Sequence, residues 1–235
     1  MAYRVGLDPS GVMNSTWMMP AGRSGIPCAF VVDTRGDLAW IGHPGDPEMT
    51  GVIDDVVAGT WDVAAYKVRK AKIREAEAKL TTAAKNKDAA GMIAGLDDLM
   101  VVDPTRYDQA AIKKFELLLF GVHDYQQGYA WAGQLVDVIF KDRADMLNAI
   151  AWAIVDGKGL EERNLDIALR AATRAEDLTD GGDMQVLDTL ARVHFEKGNV
   201  KQAVTVQEQA VKLAIDPKRK GEAQAKLDKY KAAQG

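Results

Sequence analysis

Cysteine is nearly absent from this chain of 235 residues: Cys28 stands alone, so no intramolecular disulfide forms and no zinc site of the several-cysteine type is available. Histidine is almost as scarce. His43, His123 and His194 lie far apart, without an H-E-x-x-H pattern or an i,i+4 pair, and no metal is expected. No run of about 20 apolar residues occurs, which excludes a bilayer-spanning helix of the ordinary kind. A strong excess of charge of either sign is also missing. The net charge of −4 does not favour nucleic acid or acidic membranes as partners. The first residues carry no basic-then-apolar leader, so the chain as given is expected in the cytoplasm, although a longer parent would be free to be exported. P-loop, G-x-G-x-x-G and G-x-S-x-G patterns are absent, and no cofactor is expected.

What is present divides into two textures. Hydrophobic residues make up 47% and charged residues 27%, the balance of a globular protein. Five of the seven prolines fall before residue 60, together with the strand signals. From Trp61 onward the chain is rich in Ala, Leu, Lys, Glu and Gln with helical periodicity. The boundary is expected near Gly59-Thr60-Trp61, giving segments 1–60 and 61–235.

In the first segment, Tyr3 to Leu7 reads as a strand and Val12 to Met19 as a helix stopped by Pro20 and Gly22. Cys28 to Val32 and Leu38 to Gly42 are apolar runs around an Asp/Gly turn, which predicts a β-hairpin. Met49, Val52, Ile53, Val56 and Val57 then share one helical face. The order is strand, helix, hairpin, helix. Gly25-Ile26-Pro27-Cys28-Ala29-Phe30-Val31-Val32-Asp33, followed by Gly36 and Leu38-Ala39-Trp40-Ile41-Gly42-His43-Pro44, resembles the C-terminal half of a thioredoxin-like (redoxin/TlpA-type) domain. The resemblance implies a cis proline at Pro27, facing a redox dithiol. The family's Cys-x-x-Cys lies upstream of the matched stretch, and Cys28 stands where the family usually has threonine. The resemblance therefore implies an ancestry more than a redox activity.

In the second segment, Asp62 to Ala84 reads as one helix with a narrow stripe of Val63, Tyr66, Ile73, Ala76, Leu80 and Ala83. Eight Lys/Arg against two Glu lie between Tyr66 and Lys87 without interleaved aromatics, as on a solvated helix face rather than a nucleic-acid surface. Helices are expected at about 88–101, 104–120, 122–140, 143–156, 162–178, 183–197, 199–215 and 219–233. Within them Leu147-Asn148-Ala149-Ile150-Ala151-Trp152 aligns with Leu187-Asp188-Thr189-Leu190-Ala191-Arg192 at an offset of 40. Ala168, Ala172 and Ala175 align with Ala203, Gln207 and Ala210 at an offset of 35, which places five extra residues in the first unit's turn. These units, near 146–178 and 184–216, resemble tetratricopeptide repeats, with Gln207 in place of the usual helix-B aromatic. That resemblance implies a protein- or peptide-binding scaffold. The fold class expected is α+β: a partial thioredoxin-like α/β segment, then a mainly α-helical tetratricopeptide-like bundle or solenoid.

Candidate chemistry is sparse. Cys28 reads either as a reactive thiol beside Pro27 or as a core residue. His43 and Asp46 form the nearest acid–base pair, or a loop histidine with a turn aspartate. Ile26 and Pro27 are the binding candidates of the first segment. Tyr125, Tyr129 and Trp131 form either a ligand platform or interior packing. The functional expectation is an interaction scaffold that binds a protein, a peptide or a second copy of itself. The alternatives are a fragment of a TlpA-like thiol–disulfide oxidoreductase or peroxidase using Cys28, and a hydrolase with its site in the cleft between the two segments.

Overall fold

The computed structural model describes residues 7–103 and 106–234. The expected strand at Tyr3–Leu7 lies outside them except for Leu7, which is exposed and in no strand, and Pro104 and Thr105 of the expected 104–120 helix also lie outside. The chain is a mostly helical α+β protein. A two-stranded antiparallel sheet, β1 (Ala29–Val32) and β2 (Leu38–Gly42), precedes ten α-helices among the described residues. These are α1 (Pro47–Ala58), α2 (Val63–Lys85), α3 (Ala89–Val102), α4 (Tyr107–Glu116), α5 (Tyr125–Gln134), α6 (Ala144–Asp156), α7 (Leu165–Leu178), α8 (Met184–Glu196), α9 (Val200–Leu213) and α10 (Pro217–Ala232). Helices α4 and α5 run on into π-helical turns, Leu117–Gly121 and Leu135–Ile139. The Val12–Met19 helix is instead mainly a π-helical turn, Asn14–Met18.

The hairpin forms where its turn chemistry puts it. Asp33 accepts from the backbone N–H of Arg35 and Asp37, and Gly36 supplies φ of 89°. The Arg35 guanidinium, 2.8 Å away, holds the Asp33 carboxyl below the usual carboxylate range. Val31 pairs with Trp40 and Phe30 with Ile41. Trp40 and Val52 of α1 are buried with Val31, Met49 and Val56 around them, while Trp17 meets Phe30 edge-on at 5.3 Å. The Ile26–Pro27 peptide bond is cis.

Helix starts follow the capping residues. Seven helices open on an Asp or Asn whose side chain accepts from a first-turn N–H: Asp46, Asp62, Asp88, Asp124, Asn164, Asp183 and Asp216. Such caps explain why α5 and α7 begin three residues later than periodicity alone suggests. The stripe on α2 is buried at Ile73, Ala76 and Ala83, with Leu80 half-buried and Val63 exposed. Leu80 sits against Gly95 of α3, where an added Cβ would come within 2.8 Å of Leu80 Cγ.

From α6 onward the helices pack in sequence: α6 on α7, α7 on α8, α8 on α9, α9 on α10. Helix α6 also packs directly on α8, the next-but-one helix, as in a stacked array of helix pairs. Ala168, Ala171, Ala172 and Ala175 of α7 are fully buried against a core that includes Leu147, Ile150 and Ile154. The α6–α7 connection spans 157–164 and the α8–α9 connection 197–199, so the first is five residues longer, as the offsets require. Gln207 is fully buried. Its Nε2 donates to Asp188 Oδ1 at 2.9 Å and to the Ala223 carbonyl at 3.1 Å, joining α9 to α8 and α10.

Phe140, 1% exposed, belongs to the large core under these helices. Phe140→Ala is expected to lower the stability to urea unfolding by about 3–5 kcal/mol, because the lost ring leaves a cavity that rigid helices cannot close.

Candidate functional site

Two concave surfaces gather polar side chains. The first is a cleft of about 740 Å³ between the hairpin, α1 and α2. Its central group is the Glu48 carboxylate in the first turn of α1. It accepts from Trp40 Nε1 at 3.1 Å, Tyr66 Oη at 3.1 Å and Lys70 Nζ at 3.2 Å, and it lies 3.3 Å from Arg69. Burial first, and the Glu48 charge second, push the Tyr66 hydroxyl up to about 12. His43 and Asp46 line the same cleft. His43 Nδ1 accepts from the Gly45 N–H at 3.0 Å, and Asp46 caps α1 through the Glu48 N–H at 2.9 Å. Among the described residues no hydrogen bond or ion pair joins the His43 and Asp46 side chains.

The second surface is a groove of about 370 Å³ where α6, α8 and α10 come together. Lys226 of α10 is its pivot. The Nζ is 2.5 Å from Asp188 Oδ2 of α8 and lies 5.4 Å from the centre of the Trp152 ring of α6. Trp152 remains 38% exposed, and Asn148, one turn before it, has a buried Oδ1 with no hydrogen-bond partner among the described residues. Thr189 is buried and satisfied locally, its hydroxyl donating to the Gln185 carbonyl at 3.0 Å.

The remaining sequence candidates are dispersed. Ile26 is 92% exposed and Pro27 is exposed, while Cys28 is half-buried at the start of the hairpin. The rings of Tyr125 and Tyr129 stack at 6.2 Å. Their hydroxyls are engaged: Tyr129 donates to the Glu162 carbonyl at 2.6 Å, and Tyr125 accepts from the Glu161 N–H at 3.0 Å. Trp131 Nε1 donates to the Ala111 carbonyl at 3.0 Å, and Lys114 lies over its ring. These three aromatics therefore fix the 157–164 connection and α4, leaving few polar atoms for a ligand. Burial, assisted by the nearby Lys197 charge, lowers the affinity of His194 for a proton.

Trp152, Asn148, Asp188 and Lys226 were not legible as a site in the sequence. Only the repeat alignment, which sets Asn148 and Trp152 opposite Asp188 and Arg192, carried a trace of it. Among the described residues no group of three or more His, Cys, Asp or Glu side chains is placed to hold a metal ion, and no helix is long and apolar enough to cross a membrane. No family model matches the chain, and no curated protein matches it.

The Tyr66 environment makes a titration prediction. Glu48→Gln is expected to lower the Tyr66 midpoint from about 12 toward, but not to, the ordinary value of 10.0, since burial remains after the charge is gone. Ultraviolet titration of tyrosinate, taken as the difference from Tyr66→Phe, measures it. With its native value raised, Tyr66 contributes stability that is complete below about pH 10 and lost as pH rises toward 12.

Proposed function

We propose that this protein is an interaction scaffold whose α6–α10 region is a tetratricopeptide-like array that binds an extended peptide segment of a protein partner. The observation that carries the reading is the groove itself. Helices α6 and α8, the first of successive pairs, and α10 turn one face to a common concavity, and Trp152 is left 38% exposed at its edge. An exposed indole with a cation over it is a rigid, amphipathic anchor of the kind that dominates protein-binding energies. Beside it, the Asn148 side chain lines the groove, and the Lys226–Asp188 pair sets a cation next to the exposed indole.

The hairpin segment fits within this reading as the remnant of a thioredoxin-like ancestor. A hairpin carrying Pro27 at its entrance and followed by a helix supports that descent. With Cys28 as its one thiol, the chain has no second thiol for dithiol exchange.

Peptides selected from a random display library on the immobilised full chain test the proposal. The best binder, labelled and titrated by fluorescence anisotropy, is expected to saturate with micromolar affinity and to change the Trp152 emission. Trp152→Ala and Asn148→Ala are each expected to weaken it about tenfold or more, with unchanged circular dichroism. Binding of the selected peptides to the double variant as tightly as to the wild type would refute the assignment.

A further inference from the structure

The cleft between the hairpin, α1 and α2 carries a charge that its own residues do not balance. Five cationic side chains line it, Arg23, Lys67, Lys70, Arg74 and Arg106, against three carboxylates, Asp46, Glu48 and Glu77. Two of the cations are spent: Glu48 holds Lys70 at 3.2 Å and Glu77 holds Arg106 at 2.7 Å. Just outside the cleft, Arg69 adds to Glu48 and Asp103 to Arg106, one charge of each sign, which leaves the balance where it was. Arg23, Lys67 and Arg74 form no ion pair among the described residues, and the one other lining carboxylate, Asp46, caps α1 through the Glu48 N–H. The cleft is thus two charges positive in a chain whose net charge is −4.

The fold brings these cations together from two sides. Lys67 and Arg74 are seven residues apart on α2, about two turns, so they stand on one line along the helix. Arg23 comes from the segment before β1, its Nη2 3.4 Å from the Ile41 carbonyl of β2. His43 lines the same cleft, and because its Nδ1 accepts from the Gly45 N–H, the neutral ring carries its proton on Nε2 as a further donor. A volume of about 740 Å³ is that of a small-molecule site. No ring in it is free to stack on a nucleic-acid base: Trp40 is buried and Tyr66 is fixed on Glu48. The net negative charge of the whole chain also opposes a long polyanion. Two uncompensated positive charges in a closed space match a compact ligand with two negative charges on one group. We propose that this cleft binds a small phosphate-bearing molecule through its dianionic phosphate, held by Lys67 and Arg74 on one side and Arg23 on the other.

Isothermal titration of the full chain with inorganic phosphate, glucose 6-phosphate, glucose and acetate tests this, at about pH 8, where a phosphate monoester is dianionic. Saturable binding of both phosphates is expected, with acetate at least about tenfold weaker and glucose without effect. Equal affinities for the two phosphates identify the free ion as the ligand, and tighter binding of glucose 6-phosphate identifies an ester. Lys67→Gln and Arg74→Gln are each expected to weaken phosphate about three- to fivefold, the size of one exposed charge pair, with circular dichroism unchanged. Lys72→Gln removes the same charge from an exposed position of α2 outside the cleft, and it is expected to bind like the wild type. Absence of saturable phosphate binding, or an equal loss in Lys72→Gln and Lys67→Gln, would overturn the proposal. So would a mixed-sequence single-stranded oligonucleotide that binds more tightly than either phosphate and loses affinity in Lys67→Gln, since the cleft would then serve a nucleic acid.

Discussion

The close approach of α7 to its neighbours governs the larger part of the molecule. Ala168, Ala171, Ala172 and Ala175 carry almost no side-chain bulk, so the backbone of α7 settles against α6 and α8, while Leu147, Ile150 and Ile154 fill the remaining volume. That spacing also lets α6 touch α8 directly. Once α6 and α8 lie side by side, the position of α10 follows from α9, to which it is tied through buried Gln207. The groove with Trp152 and Lys226 is thus a consequence of alanine packing on the other side of the same helices. A bulkier residue at Ala171 or Ala172 would move α6 and α8 apart and dismantle the groove without touching it.

The hairpin segment is held by different means. Two short strands do not stand alone in water. Here Trp40 and Val31 pack on Val52 of α1, and the Glu48 carboxylate fastens the assembly to α2 through Tyr66, Lys70 and Arg69. Glu48 is mostly shielded, but Arg69 and Lys70 keep 44% and 36% of their side-chain surface in solvent, so the charge pairs contribute modestly. The Trp40 and Tyr66 hydrogen bonds matter more, because both donors would otherwise lose water without replacement. The basic tract on α2 has part of its explanation here: Arg69 and Lys70 serve Glu48, and Lys79 serves Asp98.

Polar residues in the helical region illustrate a further division. Gln207 of α9 is fully buried although its side chain is polar. Its amide group joins two neighbouring helices by hydrogen bonds. Tyr125, Tyr129 and Trp131, prominent as a cluster in the sequence, use their polar atoms to hold backbone carbonyls and N–H groups of distant turns. Aromatic residues with their polar ends already engaged are structural fasteners. Trp152, inconspicuous in the sequence, stays 38% exposed at the edge of the groove between α6, α8 and α10.

Local chemistry was legible from the chain itself. The Asp33–Asp37 turn set the hairpin, capping Asp and Asn residues set most helix starts, and the 35- and 40-residue offsets set the longer α6–α7 connection, because each depends on neighbours in sequence. The same holds for the face that α2 buries, which is a matter of 3.6-residue periodicity. What only the tertiary structure decided is which polar and aromatic groups remain unspent. Lys226 meets Asp188 and Trp152 across three different helices, and His43 fails to meet Asp46 although the two are three residues apart. Separation along the chain does not determine those distances. They are fixed by how closely small residues allow helices to pack, and by which backbone groups claim each side chain first.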